Sequence, residues 1–171
     1  MKKQLLHSGW QLTTVGKNDT IPATVPGSVY NDLLNAGRME DPYWRDNEMK
    51  ALALMDEDYR YNTTFDVNAD VLNSERVLLR CEGLDTIADI VLNGEKIASV
   101  CNMHRTWEFD VKDSLKTTGN TLEIVFHSST KYIKEQDKIC HAGGSDDAMV
   151  GFPNLRKAHC MFGWDWGVSH S

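Results

Sequence analysis

Short segments rich in aromatic and β-branched residues, each followed by turn residues, fill the sequence from Tyr59 to His127. Side chains of this kind suit a pleated, half-buried surface, and the turn residues between them reverse the chain. The spacing therefore predicts an all-β fold, an antiparallel β-sandwich. The predicted strands are residues 59–67, 76–82, 86–92, 96–100, 106–111 and 121–127.

One dipeptide gives the strongest hairpin signal in the sequence. Asn93-Gly94 stands between two apolar runs. A two-residue type I′ turn needs positive φ at both positions, and asparagine followed by glycine meets that need best. We therefore expect residues 86–92 and 96–100 to pair as a hairpin.

The remaining local signals predict an edge segment and one or two short helices. Residues 21–27 contain two prolines, which cannot donate to a central ladder, so we expect an extended edge piece. Ser28 can cap a short helix that ends where Gly37 adopts a left-handed conformation. A second helix is predicted over residues 130–140.

The chain length and the net charge limit the number of domains and the kinds of partner that this sequence is compatible with. The chain has 171 residues, 41% of them hydrophobic, and a net charge of −7, which predicts one domain over residues 1–171. Without a lysine or arginine stripe, neither nucleic acid nor an anionic membrane is an expected partner. No apolar stretch approaches the roughly 18 residues of a membrane span, and the first residues lack the apolar region of a signal peptide. We therefore expect a cytoplasmic location.

The four cysteines are widely spaced, and none belongs to a CxxC motif. Cys140-His141 and His159-Cys160 form a mirrored pair of possible metal ligands. Adjacent ligands at each end would strain a tetrahedral site, so structural thiols are the favoured interpretation. Neither a metal nor another cofactor is predicted.

Trp164-Asp165-Trp166, between Gly163 and Gly167, has the residue types of a sugar site. A pyranose ring offers apolar faces to an aromatic platform and hydroxyl groups to a carboxylate. A tight loop between the glycines would let all three side chains converge. The alternative is that both tryptophans pack in the core while Asp165 caps a turn, and the tripeptide alone leaves both open.

Catalytic residues are not predicted in this chain. The acidic clusters at residues 56–58 and 146–147 are typical of solvated loops. Ser/His/Asp combinations exist on paper, but no G-x-S-x-G elbow and no phosphate-binding glycine motif is present.

Several phrases, in order along nearly the whole chain, resemble one family. They are VPGSVYNDLL at 25–34, DPYWRDNE at 41–48, EGLDT at 82–86, VLNG at 91–94, NMHR at 102–105, RK at 156–157 and FGWDWG at 162–167. Together they resemble the N-terminal domain of β-mannosidases of glycoside hydrolase family 2.

This resemblance implies a galactose-binding-like jelly roll, followed in the complete enzyme by immunoglobulin-like domains and a TIM barrel. The barrel supplies both catalytic glutamates of this retaining glycosidase. A (β/α)₈ fold needs about 250 residues by itself, so the barrel is absent here and we expect the fragment to be inactive alone. Its expected partners are a terminal β-mannoside, bound jointly with the missing catalytic domain, and the remaining domains of the parent chain.

The resemblance also assigns site residues. Asp165 would accept hydrogen bonds from mannose hydroxyls, and Trp164 and Trp166 would shape the wall of that subsite. Asn47 and Glu48 lie in a family loop near the domain interface and would help to shape or support the pocket, with an ordinary interdomain loop as the alternative. Val168 stands where family members often have proline, so the loop after Gly167 lacks a fixed φ.

Two other functions fit the same fold. A free-standing carbohydrate-binding module would bind sugar without a barrel, and a structural domain would only dock against its neighbours. Fold analogy does not separate these alternatives.

Overall fold

The computed structural model describes residues 2–143 and 149–163. Within this part of the chain the strands form two sheets, with the order β2-β1-β3-β8-β5-β6 in the larger and β4-β7 in the smaller. The strands are β1 (Gln11–Thr14), β2 (Thr20–Pro22), β3 (Tyr59–Phe65), β4 (Leu78–Glu82), β5 (Ile87–Leu92), β6 (Glu95–Cys101), β7 (Thr106–Asp110) and β8 (Asn120–Phe126). All neighbouring strands are antiparallel.

A row of apolar side chains crosses the larger sheet on its inner face. Leu12 pairs with Ile21 on one side and with Tyr61 on the other, and the row continues through Ile124 to Ile90. All five side chains are buried. A slip of one residue would turn every one of them to solvent, so burial of this face fixes the register.

The smaller sheet covers this row. Leu79 pairs with Phe109 and Cys81 with Trp107, and all four pack against the main core. Burial raises the pKa of the Cys81 thiol to about 11. Alternate residues face outward, where Arg80 pairs with Glu108 at 3.2 Å. The two sheets form the predicted antiparallel β-sandwich.

The local signals are confirmed. Asn93 and Gly94 have φ of 53° and 83° and join β5 to β6. Ser28 caps α1 (Val29–Asn35) by accepting from the Asn31 amide at 3.3 Å, and Gly37 follows with a φ of 66°. The proline-containing β2 lies at the edge of the larger sheet.

The described residues include four short α-helices where the sequence predicts one or two. α4 (Ser129–Ile139) coincides with the predicted second helix. The additional ones are α2 (Asn47–Leu54) and α3 (Ala69–Leu72). The sequence of α2 is made largely of strong helix formers, but it stands in a stretch that we interpret as a loop from the family phrase alone. None of the described helices is long and apolar enough to cross a membrane.

Candidate functional site

Three predicted site residues, Trp164, Asp165 and Trp166, lie outside the described residues. The structure describes the chain up to Gly163, immediately before this tripeptide. We call residues 149–163 the anchor segment. This segment directly precedes the tripeptide in the sequence.

A second apolar cluster holds the anchor segment. Phe152, Leu155 and Phe162 pack with Ile133 of α4, and all four are buried. The Met149 amide donates to the Phe162 carbonyl at 3.1 Å, which closes the segment on itself. Full burial of side chains of this size is worth about 1.5–3 kcal/mol each. The anchor segment is therefore fixed at both of its ends.

An ion pair joins the anchor segment to the sandwich. Lys157 is only 5% exposed, and its Nζ donates to Asp85 Oδ2 at 2.7 Å. Thr86 Oγ1 donates to the other carboxylate oxygen. This contact brings together two family phrases, at 82–86 and 156–157, that are far apart in the sequence.

Backbone contacts beside Lys157 bring in a third phrase, at 102–105. Asn102 and Arg156 form a parallel bridge, and the Met103 amide donates to the Arg156 carbonyl at 3.1 Å. The Ala158 amide donates to Met103 Sδ at 3.0 Å. The chain around Lys157 is thus held by main-chain and side-chain contacts together.

Asn47, the fourth predicted site residue, begins α2 and is buried. Its Nδ2 donates to the Asp41 carbonyl at 3.1 Å, and its Oδ1 accepts from Lys50 Nζ at 3.3 Å. Asp41 in turn accepts from the Tyr43 amide at 2.9 Å. These bonds make Asn47 the residue that shapes the loop at 41–46.

Glu48, the fifth predicted site residue, is half-buried in the first turn of α2. A negative charge there is favoured by the partial positive charge of the helix N-terminus. Burial raises the pKa of Tyr30 above its ordinary range, and the charge of Glu48 adds to this shift.

The loop before α2 exposes apolar surface. Tyr43 is 70% exposed, Trp44 is 63% exposed, and Met49 on the first turns of α2 is 70% exposed. The Arg45 guanidinium lies 5.5 Å from the centre of the Trp44 ring. Neighbouring apolar side chains at this level of exposure are typical of a surface that another protein unit covers.

A histidine between two carboxylates stands at one end of the larger sheet. His127 Nδ1 lies 3.3 Å from Asp58 Oδ2, and its Nε2 lies 3.2 Å from Asp89 Oδ2. Lys96 and Ser99 also contact Asp89, at 2.8 Å and 2.6 Å. Within the described ranges, no three His, Cys, Asp or Glu side chains are arranged to hold a metal ion.

A polar groove of about 370 Å³ lies over β1, β3 and β8. Among the described residues, its lining includes Asn62, Arg60 and Glu123 together with several threonines, and no aromatic ring. Sugar sites usually need an aromatic platform for the apolar face of the ring. The groove therefore lacks one of the two components that Trp164-Asp165-Trp166 combines.

Residues 10–171 match the family model described as the galactose-binding-like domain of glycosyl hydrolase family 2. The chain belongs to this family. It is 31% identical to a β-mannosidase from Bos taurus, over 96% of this chain and 20% of that protein. It is 35% identical to β-mannosidase A from Emericella nidulans, over 92% of this chain and 17% of that protein.

Two solved structures share the fold of this chain. A β-D-mannosidase from Dictyoglomus thermophilum superposes with a TM-score of 0.91 at 35% identity, over 96% of this chain and 20% of that one. An exo-chitosanase from Amycolatopsis orientalis, at 20% identity and a TM-score of 0.60, shares the fold. The chain thus spans about one fifth of the length of these proteins, and the predicted galactose-binding-like fold is confirmed.

Within this glycosyl hydrolase 2 domain, the structure brings Asn47 and Glu48 together on one helical turn. The assignment of all five residues to a sugar subsite stays a prediction. Sequence reasoning missed the pairing of Asp85 with Lys157 and the group formed by His127, Asp58 and Asp89. Asp85 belongs to the phrase at 82–86 and Lys157 to the phrase at 156–157, but nothing in the sequence indicates that the two phrases are in contact.

Proposed function

We propose that this domain supplies part of the mannose-binding subsite of a β-mannosidase-like glycosidase. Asp165 accepts hydrogen bonds from the hydroxyls of a terminal β-mannoside, and Trp164 and Trp166 form the adjoining wall. The observation that carries the proposal is the anchor segment, held by a buried apolar cluster and a buried ion pair immediately before this tripeptide. The similarity to β-mannosidases over almost the whole chain supports it.

A firmly held anchor segment matters because of how a contact between a carboxylate and sugar hydroxyls contributes to catalysis. A carboxylate that grips hydroxyls remote from the reacting bond positions the ring, and that binding energy can lower the barrier. The gain depends on a fixed geometry. A tripeptide that began from a mobile stretch of chain would lose most of it to conformational entropy.

Asn47 and Glu48 contribute indirectly in this proposal. The hydrogen bonds of Asn47 to the loop at 41–46 keep that loop in shape, and Glu48 adds a half-buried negative charge beside it. Both residues support the pocket through the loop at 41–46. In this proposal the catalytic glutamates belong to the barrel of the complete enzyme, so we expect the isolated domain to be inactive.

The test is Asp165→Asn in the complete enzyme. A charge-assisted hydrogen bond is worth about 1.5–3 kcal/mol, so we expect kcat/KM for a β-mannoside to fall by roughly ten- to a hundredfold. The matched control is Asp19→Asn, which loses an exposed ion pair with Arg38. Near-normal turnover by Asp165→Asn, with the thermal stability unchanged, would reject the proposal.

The exposed surface of Tyr43, Trp44 and Met49 favours a second function, docking against neighbouring domains. In that case the domain keeps the complete protein folded and contacts no sugar. Tyr43→Ser combined with Trp44→Ser would then lower the stability of the complete enzyme and leave the stability of the isolated domain almost unchanged.

Titration of mannose and manno-oligosaccharides into the isolated domain tests the third alternative, a free-standing carbohydrate-binding module. Millimolar or tighter binding would indicate such a module.

A further inference from the structure

The buried side chain of Lys157 has a position that the sugar site alone does not explain. It lies six residues before Gly163, in the middle of the anchor segment, and points into the protein toward Asp85. Burying an ammonium group costs several kcal/mol, which a carboxylate partner only partly offsets. A methionine of similar length would avoid this cost, so the charge calls for a reason other than stability.

The apolar cluster cannot fix the path of the anchor segment by itself. Contacts among Phe152, Leu155, Phe162 and Ile133 are non-directional, so they tolerate small shifts of one element past another. An ammonium–carboxylate contact at 2.7 Å does not tolerate such a shift, because the shift would leave a buried charge without its partner. The pair therefore supplies the positional precision that the apolar contacts lack.

The partner carboxylate is itself held in place. Thr86 Oγ1 donates to Asp85, and the buried Thr86 leads directly into β5 of the larger sheet. The Arg156 main chain is tied beside it to Asn102 and Met103. Lys157 thus connects the anchor segment to the residues that lead into β5 and out of β6.

We propose that Lys157, through Asp85, is a positioning residue for the sugar subsite. It fixes the path of the anchor segment up to Gly163, the residue that precedes Trp164-Asp165-Trp166 in the sequence. This inference rests on the proposed function of the tripeptide. Lys157 is not a catalytic residue, because its buried side chain ends on Asp85 and has no free face for a sugar.

The first arm of the test uses the 171-residue chain and does not depend on sugar. Hydrogen exchange followed by mass spectrometry is compared for the wild type and Lys157→Met. We expect amides of residues 149–163 to exchange at least about tenfold faster in the variant, while β3 and β8 stay protected. Lys17→Met, which removes an exposed pair with Glu57, is the matched control and should leave the anchor segment unchanged.

The second arm uses the complete enzyme and a β-mannoside substrate. Small misplacements of positioning groups can cost up to about a hundredfold in rate, so Lys157→Met should lower kcat/KM by about ten- to a hundredfold. The melting temperature should shift by only a few degrees. Lys157→Arg keeps the positive charge on Asp85 and should recover a large part of the loss. A merely structural role would move the melting temperature and would spare kcat/KM at temperatures where the enzyme stays folded.

The two arms separate the failure of this inference from that of the proposed function. Unchanged exchange in residues 149–163 would overturn the inference, whatever the enzyme does. Unchanged kcat/KM in Lys157→Met, beside a large loss in Asp165→Asn, would overturn it and leave the proposed function standing. If Asp165→Asn has no effect, the proposed function fails and the link from Lys157 to the sugar fails with it, although faster exchange would still identify Lys157 as the anchor.

Discussion

The Tyr61 hydroxyl donates to Asp32 Oδ2 at 2.8 Å inside the core of the sandwich. The same carboxyl group accepts from the Thr24 amide at 2.9 Å through Oδ1. Asp32 belongs to α1, Tyr61 to the middle of β3, and Thr24 to the stretch after β2. One buried acid of the phrase at 25–34 therefore ties three elements together.

Tyr61→Phe tests how much this hydrogen bond contributes to the free energy of unfolding. Loss of the hydroxyl leaves the Asp32 carboxyl, 2% exposed, with one donor fewer, and such a loss costs about 1–3 kcal/mol. Tyr59→Phe is the control, because the Tyr59 hydroxyl donates to the neutral Leu54 carbonyl at 2.8 Å. Urea unfolding should show the larger loss in Tyr61→Phe, and equal losses would contradict a special role for the carboxyl group.

Asp85→Asn and Lys157→Met should differ in their cost to folding. Asp85→Asn leaves a buried ammonium without a carboxylate, which costs about 3–5 kcal/mol in comparable pairs. Lys157→Met removes the buried charge, and the remaining Asp85 side chain, 27% exposed, can still contact water. We therefore expect Asp85→Asn to be the less stable variant in urea. The reverse order would mean that Asp85, not Lys157, carries the larger burial penalty.

Stability at low pH should depend on Asp89. Hydrogen bonds from Lys96 first, then Ser99 and His127, lower the pKa of Asp89 from 3.8 to about 2. Because the folded-state pKa lies below the unfolded one, this stabilisation is fully present above the ordinary pKa and is lost as the pH falls through 3.8 toward 2. Urea unfolding at about pH 5 and about pH 2.5 should show a smaller pH dependence in Asp89→Asn than in the wild type.

Lys96→Met gives an independent check on the same group. It removes the largest cause of the shift, so the Asp89 pKa should move back toward 3.8. Nuclear magnetic resonance titration of the Asp89 carboxyl carbon measures this directly. An unchanged pKa in Lys96→Met would refute the assignment of Lys96 as the main cause.

Gly151→Ala should loosen the anchor segment. Gly151 has a φ of 85°, and an added Cβ would lie 2.8 Å from the backbone oxygen of Ile133. Left-handed strain alone costs about 1 kcal/mol or more, and the clash with backbone adds to it. Gly16→Ala is the control, since Gly16 has a φ of 82° and open space around the added atom. Chemical denaturation should show the greater loss for Gly151→Ala, together with faster proteolysis near residue 151.

Most of the sandwich follows from local patterns. Every strand predicted between residues 59 and 127 is present, with ends that differ by a few residues. The hairpin at Asn93-Gly94 and the cap at Ser28 are also present, because each depends on conformational preferences within one turn of chain. β1, α2 and α3 are exceptions, because none of them was predicted. In α2 the helix-forming residues were outweighed by a family phrase that we interpret as a loop.

The candidate site was predictable only as residue types. Trp164, Asp165 and Trp166 stand out because a sugar needs both an aromatic face and a carboxylate. Asn47 and Glu48 come only from the family phrase. The structure shows what the phrase does not: Asn47 is a residue that shapes its loop, bonded to Asp41 and Lys50.

The sequence by itself determined the fold class, the six strands between residues 59 and 127, the turn at Asn93-Gly94, the cap at Ser28, and the family. Alternation, turn chemistry and family phrases all depend on neighbouring residues. Only the tertiary structure decided which distant residues meet. Asp85 meets Lys157, and His127 meets Asp58 and Asp89, because the sheet order and the strand register bring their elements together. Long-range contacts of this kind have no local signature, since each partner alone is an ordinary charged residue.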